Sequence, residues 1–322
     1  MKYAHLYRDL LNQLKKRIPQ NTELVKKIMN ILPLEKDAVY RRLRQEVPFS
    51  FEEIAIIAKE FNISLDIMLG VITRTAFPFD YQSADNDHIV EMDYLPIDEY
   101  KQAIKEAASD SKGEISMVTN MIPFSFYKGF NFISKFYYFM WLYYTLPANH
   151  GLFYHEIRIP DRLIQICQEL FTHSKNVNNS SIILNKSIFQ DFINDVTYFN
   201  NIRLIRDEDI KNIKDELFQY LDFMEFVAVK GFVENPSNLV KIYISDTSIA
   251  ASYSFIDLEF AARLVLFYSI FHNNMLSLNE KSLDRMRYQI RSKIRTSTLI
   301  SITGEKQRTQ YFEKQRKKIE LL

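Results

Sequence analysis

Pro19, Pro33 and Pro48, with Gly70 behind them, cut the first seventy residues into pieces of about one short helix each. A proline removes a backbone donor and clashes with the turn before it, so helices here end where the prolines stand. Between those stops the apolar residues keep helical period. Tyr3, Leu6, Tyr7, Leu10, Leu11 and Leu14 form one stripe. Leu24, Val25, Ile28, Met29, Ile31 and Leu32 form a second, with Asn21 or Thr22 as its cap. A third helix spans 35–45, with Ala38, Val39 and Leu43 inward. Ser50 caps a fourth, with Glu53 as its capping-box partner and Ile54, Ile57, Ala58 and Phe61 as its stripe. Ser64 then caps a last short helix, Leu65 to Leu69, stopped by Gly70. The pattern predicts a compact five-helix domain over residues 1–75.

Periodicity weakens from Phe77 to Pro96, where two prolines, small polar residues and the acids Asp85, Asp87, Glu91 and Asp93 predict a linker over 76–95. The rest, 96–322, is predicted as a larger, mostly helical domain with a few short strands, so the chain as a whole is mainly α. Helices are predicted over 96–110, 124–144, 162–175, 187–198, 208–230, 257–272, 279–296 and 305–322. Strands are predicted over 114–120, 180–184, 240–245 and 252–256. The scarcity of glycine, six residues in 322, disfavours phosphate-cradling loops and turn-dense all-β folds. Cys167 is the single cysteine, which excludes an intrachain disulfide and points to the cytoplasm. The most apolar run, Phe130 to Leu146, is broken by Lys135 and is too short beyond it to span a bilayer. No membrane association is expected.

Net charge is +1, yet residues 1–49 hold eleven bases against five acids. A basic lobe inside a nearly neutral chain suits phosphate neutralisation. The order of elements adds a shape to that charge. A supporting helix ends at Leu32, Pro33-Leu34-Glu35 makes a tight turn, and the next helix carries Lys36, Asp37, Tyr40, Arg41 and Arg44 outward. This is the arrangement of a helix-turn-helix, whose second helix enters the major groove. Lys26 and Lys27, on the supporting helix, are candidate phosphate contacts.

Residues from about Leu24 to Gly70 resemble the lambda-repressor-like (Xre-type) helix-turn-helix domain. Asp37-Ala38-Val39-Tyr40-Arg41-Arg42-Leu43-Arg44 is similar to its recognition helix, and Phe51 to Leu69, with Ile54-Ala55 and Ile63-Ser64-Leu65-Asp66, is similar to its closing helix and terminal turn. Two departures stand out: Pro33 at the turn, and Gln45-Glu46-Val47-Pro48 where many members place a glycine. The chain also resembles BetR-like bacterial regulators, which join such a domain to a larger one. Ile122-Pro123-Phe124, followed by an aromatic helix reaching Trp141, carries that likeness. The resemblance implies double-stranded DNA as partner, a homodimer, and a second domain that dimerises, senses a small-molecule or protein effector, or both.

The alternative from another class is an interaction scaffold whose basic bundle docks a protein. An enzyme finds no support. The histidines, His5, His88, His150, His155, His173 and His272, show no zincin spacing, and His173-Ser174-Lys175 lacks the aspartate of a phospholipase-D motif because Ser180 stands there. No Walker A loop, G-x-S-x-G elbow or dinucleotide fingerprint occurs, and no cofactor or metal is implied. The aromatic helix is expected to be core, with a ligand pocket as its functional reading. From Lys281 onward there are twelve bases against four acids. Solvated helix faces, a dimer seam along Leu283, Met286, Ile290 and Ile294, or a second DNA-backbone contact would each account for part of that surplus.

Overall fold

The computed structural model describes residues 4–18, 20–61, 63, 65, 80–81, 94–123, 129–145, 151–259, 262–267, 274–277 and 280–322. The chain divides into two units, Met1–Pro78 and Phe79–Leu322. Helices dominate both, with eleven among the described residues.

The first unit contains α1 (Ala4–Arg17), α2 (Asn21–Ile31), α3 (Lys36–Leu43) and α4 (Phe51–Glu60). Leu10, Leu14, Leu24, Ile28, Val39, Leu43, Ile57 and Phe61 close into one core, as the stripes require. The capping box at Ser50 forms in full: Glu53 N–H donates to Ser50 Oγ, and the Ser50 N–H donates to Glu53 Oε2. At α2 the cap is Gln20, one residue before the predicted Asn21, and no side chain bonds there. The fifth helix lies outside the described residues except for Leu65.

The second unit is built on an eight-stranded mixed sheet, more β structure than a few isolated strands. Its strands are β1 (Asp80–Tyr81), β2 (Glu114–Thr119), β3 (Asn179–Asn185), β4 (Leu239–Ser245), β5 (Ser252–Asp257), β6 (Ala262–Phe267), β7 (Asn274–Ser277) and β8 (Ser297–Leu299). Their order is β1-β7-β6-β5-β2-β3-β4-β8, with β2, β3 and β4 parallel and every other pair antiparallel. The helices are α5 (Leu95–Ser109), α6 (Asn131–Thr145), α7 (Asp161–Ser174), α8 (Ile188–Asn201), α9 (Asp207–Lys230), α10 (Glu280–Arg295) and α11 (Glu305–Glu320). α6 and α7 cross from β2 to β3, and α8 and α9 from β3 to β4, as parallel neighbours demand.

Alternation along the strands separates two faces. Ile115, Ile182, Ile242 and Ile256 point into the larger core, with Tyr100 of α5, Phe136 and Phe139 of α6, and Phe192 and Phe199 of α8. The aromatic helix is core there: Phe136 packs edge-on against Phe192, with ring centroids 4.9 Å apart. Its N-terminus is satisfied from α9. Glu216 Oε2 accepts the Ile133 N–H at 2.6 Å, a carboxylate meeting orphan donors at the positive end of a helix. α9 stops at Gly231, which takes φ +76 in the left-handed region.

Three expectations are corrected. The stretch predicted as one helix over 257–272 contains β6, because Ala262 to Phe267 finds a ladder on β5 from Asp257 to Ser252. Asp80–Tyr81, placed in the linker, forms a short edge strand on β7. The third concerns α10. Leu283, Met286 and Ile290 are buried and the helix packs on β4, β6 and β8, so this stripe covers the second face of the chain's own sheet and is not free as a dimer seam.

Candidate nucleic-acid interface

The α2–turn–α3 segment is stiffened from behind. Leu34 N–H donates to Leu32 O at 2.8 Å, and Val39 N–H donates to Glu35 O, so the turn closes on its own backbone despite Pro33. Arg42 then bolts α3 to α4. Its Nε and Nη2 each donate to a Glu53 carboxylate oxygen at 3.0 Å, and Nη1 donates to Ala38 O. Side chains of that pair are 18 % and 16 % exposed, well shielded, and the guanidinium lies over the Phe49 ring. The Tyr7 hydroxyl adds α1 to the joint, donating to Arg42 O and accepting from the Phe49 N–H, both at 3.1 Å. Burial pushes that hydroxyl above its ordinary value, so it stays protonated and able to donate. Arg42 was counted only as a base in the sequence; it is a structural staple. The S-x-x-E box announced Glu53 as a cap but not as its second partner.

On the outside of α3, Lys36, Asp37, Arg41 and Arg44 are exposed and Tyr40 is half-buried against the core. At about 100° per residue these five fall within one arc of roughly 140°, with Val39 and Leu43 outside it and Lys36 at its edge beside Leu43. The structure therefore brings the predicted α3 residues to one face. Lys26 is exposed on α2. Lys27 is turned elsewhere: its Nζ lies 3.4 Å from Glu60 and over the Phe61 ring, at the end of α4.

The end of α3 introduces a residue the sequence reading left out. Gln45 N–H donates to Arg42 O and Glu46 N–H to Arg41 O, the paired bonds of a Schellman stop, with Gln45 at φ +66. Gln45 thus occupies the left-handed position that glycine takes most readily. The motif places the residue two beyond the cap over the last turn, where an apolar contact is usual. Here that residue is Glu46, and it pairs with Arg41 at 3.5 Å and with Arg44 at 2.8 Å. One carboxylate is shared by the two arginines most suited to reading bases.

Among the described residues no group of three or more His, Cys, Asp or Glu is placed to hold a metal ion, and no helix is long and apolar enough to cross a membrane. The nook between Leu184, Ile188, Tyr220, Met224, Tyr311 and Phe312 is packed too closely to admit water.

Residues 4–112 match the family model of the BetR domain. The match covers about a third of the chain; it takes in all of the first unit's described helices and continues through α5 to the turn before β2. It supports a BetR-like regulator. No curated protein and no solved structure matches the chain.

Proposed function

We propose that this chain is a sequence-specific DNA-binding transcription regulator of the helix-turn-helix kind. α3 enters the major groove, with Arg41 and Arg44 reaching base edges, Lys36 and Tyr40 contacting sugar or phosphate, and Lys26 adding a backbone contact. The observation that carries the reading is the exposed α3 face, held from behind by Arg42 and Glu53, inside the segment that matches the BetR domain. One short recognition helix reads few base pairs, so the functional unit is a homodimer on two half-sites. The second unit supplies that pairing, senses an effector, or both, and catalyses nothing.

The test is selection from a randomised duplex library, followed by anisotropy titration of the selected and a scrambled duplex. The wild-type chain should prefer the selected duplex, and Arg41→Ala or Arg44→Ala should cost roughly 1–3 kcal/mol there and relax one position. A docking module is the second reading, favoured by Phe51, 80 % exposed at the start of α4, and Ile56, 43 % exposed further along the same helix. Absence of duplex binding at low salt decides for that module.

A further inference from the structure

We propose that the outer face of α10 is a second, sequence-independent contact for the phosphate backbone of duplex DNA. The inference rests on the DNA-binding reading and extends it from the first unit to the second.

α10 is a basic amphipathic helix, a pattern that by sequence fits insertion into a membrane surface or docking of its apolar face in a partner's groove. The structure closes both routes. Leu283, Met286 and Ile290 are buried and the helix rests on β4, β6 and β8, so its apolar side is already used. What remains outward is polar. Arg285, Tyr288, Arg291 and Arg295 are all exposed and project from the side opposite that apolar stripe. Tyr288 is 68 % exposed, with its phenol free to donate.

Among the described residues, the charges on this face are not cancelled. Arg287, on the flank, takes up the local acids: it donates to both Asp257 oxygens at 2.7 and 2.8 Å and to Asp284 at 2.6 Å. Lys293 is held by Thr247 Oγ1 and Ser248 O. Arg285, Arg291 and Arg295 pair with no carboxylate of the described residues. The contrast with α3 is direct, since Arg41 and Arg44 must give up Glu46 before they can serve a phosphate.

From Arg285 to Arg295 the helix rises about 15 Å. One strand of a duplex presents a charge every ~3.4 Å along the axis, so this length faces several phosphates. Arginine and tyrosine are suited donors for phosphate oxygens, and a row of them with no fork aimed at base edges gives affinity without sequence preference.

The test uses the full chain and two duplexes, the selected one and its scramble, titrated across salt concentrations. The triple variant R285Q/R291Q/R295Q should lower the slope of log affinity against log salt by as much as ~2.7, about 0.9 per lost phosphate contact. Loss should be alike on both duplexes, leaving their affinity ratio unchanged. A control, K211Q/K314Q/K317Q, removes the same charge from exposed positions of α9 and α11. It should move the slope far less, which separates contact from long-range attraction. Thermal melting of each variant confirms folding, because none of the replaced side chains is buried. If the α10 variant keeps the wild-type slope on both duplexes while R41A/R44A weakens binding, the α10 contact is wrong and the α3 reading stands. If both triple variants lower the slope equally, attraction is unspecific and the α10 contact is likewise overturned. Should the wild-type chain bind neither duplex at low salt, both readings fall.

Discussion

Replacing Gln45 by glycine should stabilise the first unit, and the amount follows from the end of α3. Gln45 sits at φ +66, where a side chain's Cβ crowds its own carbonyl. That conformation costs an ordinary L-residue roughly 1–2 kcal/mol. Glycine is free of this cost but gives up about 0.5–1 kcal/mol through the greater freedom of its unfolded chain. The difference favours Gln45→Gly by about 0.5–1 kcal/mol. Nothing offsets it, for the Gln45 side chain is exposed and makes no hydrogen bond, and both stop bonds are backbone bonds that glycine keeps. In a unit of this size 1 kcal/mol moves Tm by about 4–8 °C, so a rise of roughly 2–8 °C is expected in a circular-dichroism melt. Gln45→Ala serves as control, since alanine carries the same left-handed penalty and should leave Tm nearly unchanged. A glycine variant that melts with or below the alanine variant would refute the reasoning.

Glu46→Gln releases Arg41 and Arg44 without touching the stop. Exposed pairs are worth about 0.2–1 kcal/mol, so affinity for the selected duplex should rise roughly two- to fivefold at low salt; unchanged or weaker binding in anisotropy rules out the competition. Arg42→Ala strands a shielded carboxylate and should destabilise the first unit by about 2–3 kcal/mol in urea, while a cycle with Glu53→Ala should show clear coupling between the two. A cycle with additive losses would mean the pair is incidental. Desolvation, and next the Asp191 carboxylate, push the Asp195 carboxyl up to about 6. Unfolded aspartate ionises near 3.9, so stability is lost as pH rises from about 4 to about 6. Asp195→Asn should remove that decline. Because the residue keeps an exposed side, the gain at neutral pH is about 0.5–1 kcal/mol, and a denaturation profile parallel to wild type across that window counts against it.

Local punctuation was what the sequence displayed best. Ser50 with Glu53, and the stop at Pro33, are short-range devices whose partners lie within a turn, and their helices stand where the pattern put them. β2 to β5 were visible for a similar reason, since β-branched runs such as Ser181-Ile182-Ile183-Leu184 leave few alternatives. The 257–272 segment was not. Leu264, Val265 and Leu266 suit a helix or a strand, and only the free edge of the preceding strand β5, pairing Leu266 with Tyr253 and Leu264 with Phe255, decides between them. α10 shows the same limit in another form. Its period announced an apolar stripe, but no period says whether a second copy or the chain's own sheet will cover it.

Charge counting met a related obstacle, with consequences for the proposed DNA contact. Eleven bases against five acids describe a lobe, yet ion pairing depends on where the backbone turns. Arg42 is committed to Glu53, Lys27 lies against Glu60, and the stop at Gln45 swings Glu46 over Arg41 and Arg44. Among the described residues of α2 and α3, Lys26 and Lys36 are the cations left outside any ion pair. Each neutralised phosphate adds about 0.9 to the salt slope, so these two contribute roughly 2 before any arginine is released. Such a face is better fitted to choosing a sequence than to gripping a duplex. On the proposed reading, recognition by α3 would draw its grip from elsewhere, from a second copy on an adjoining half-site and from the arginines of α10.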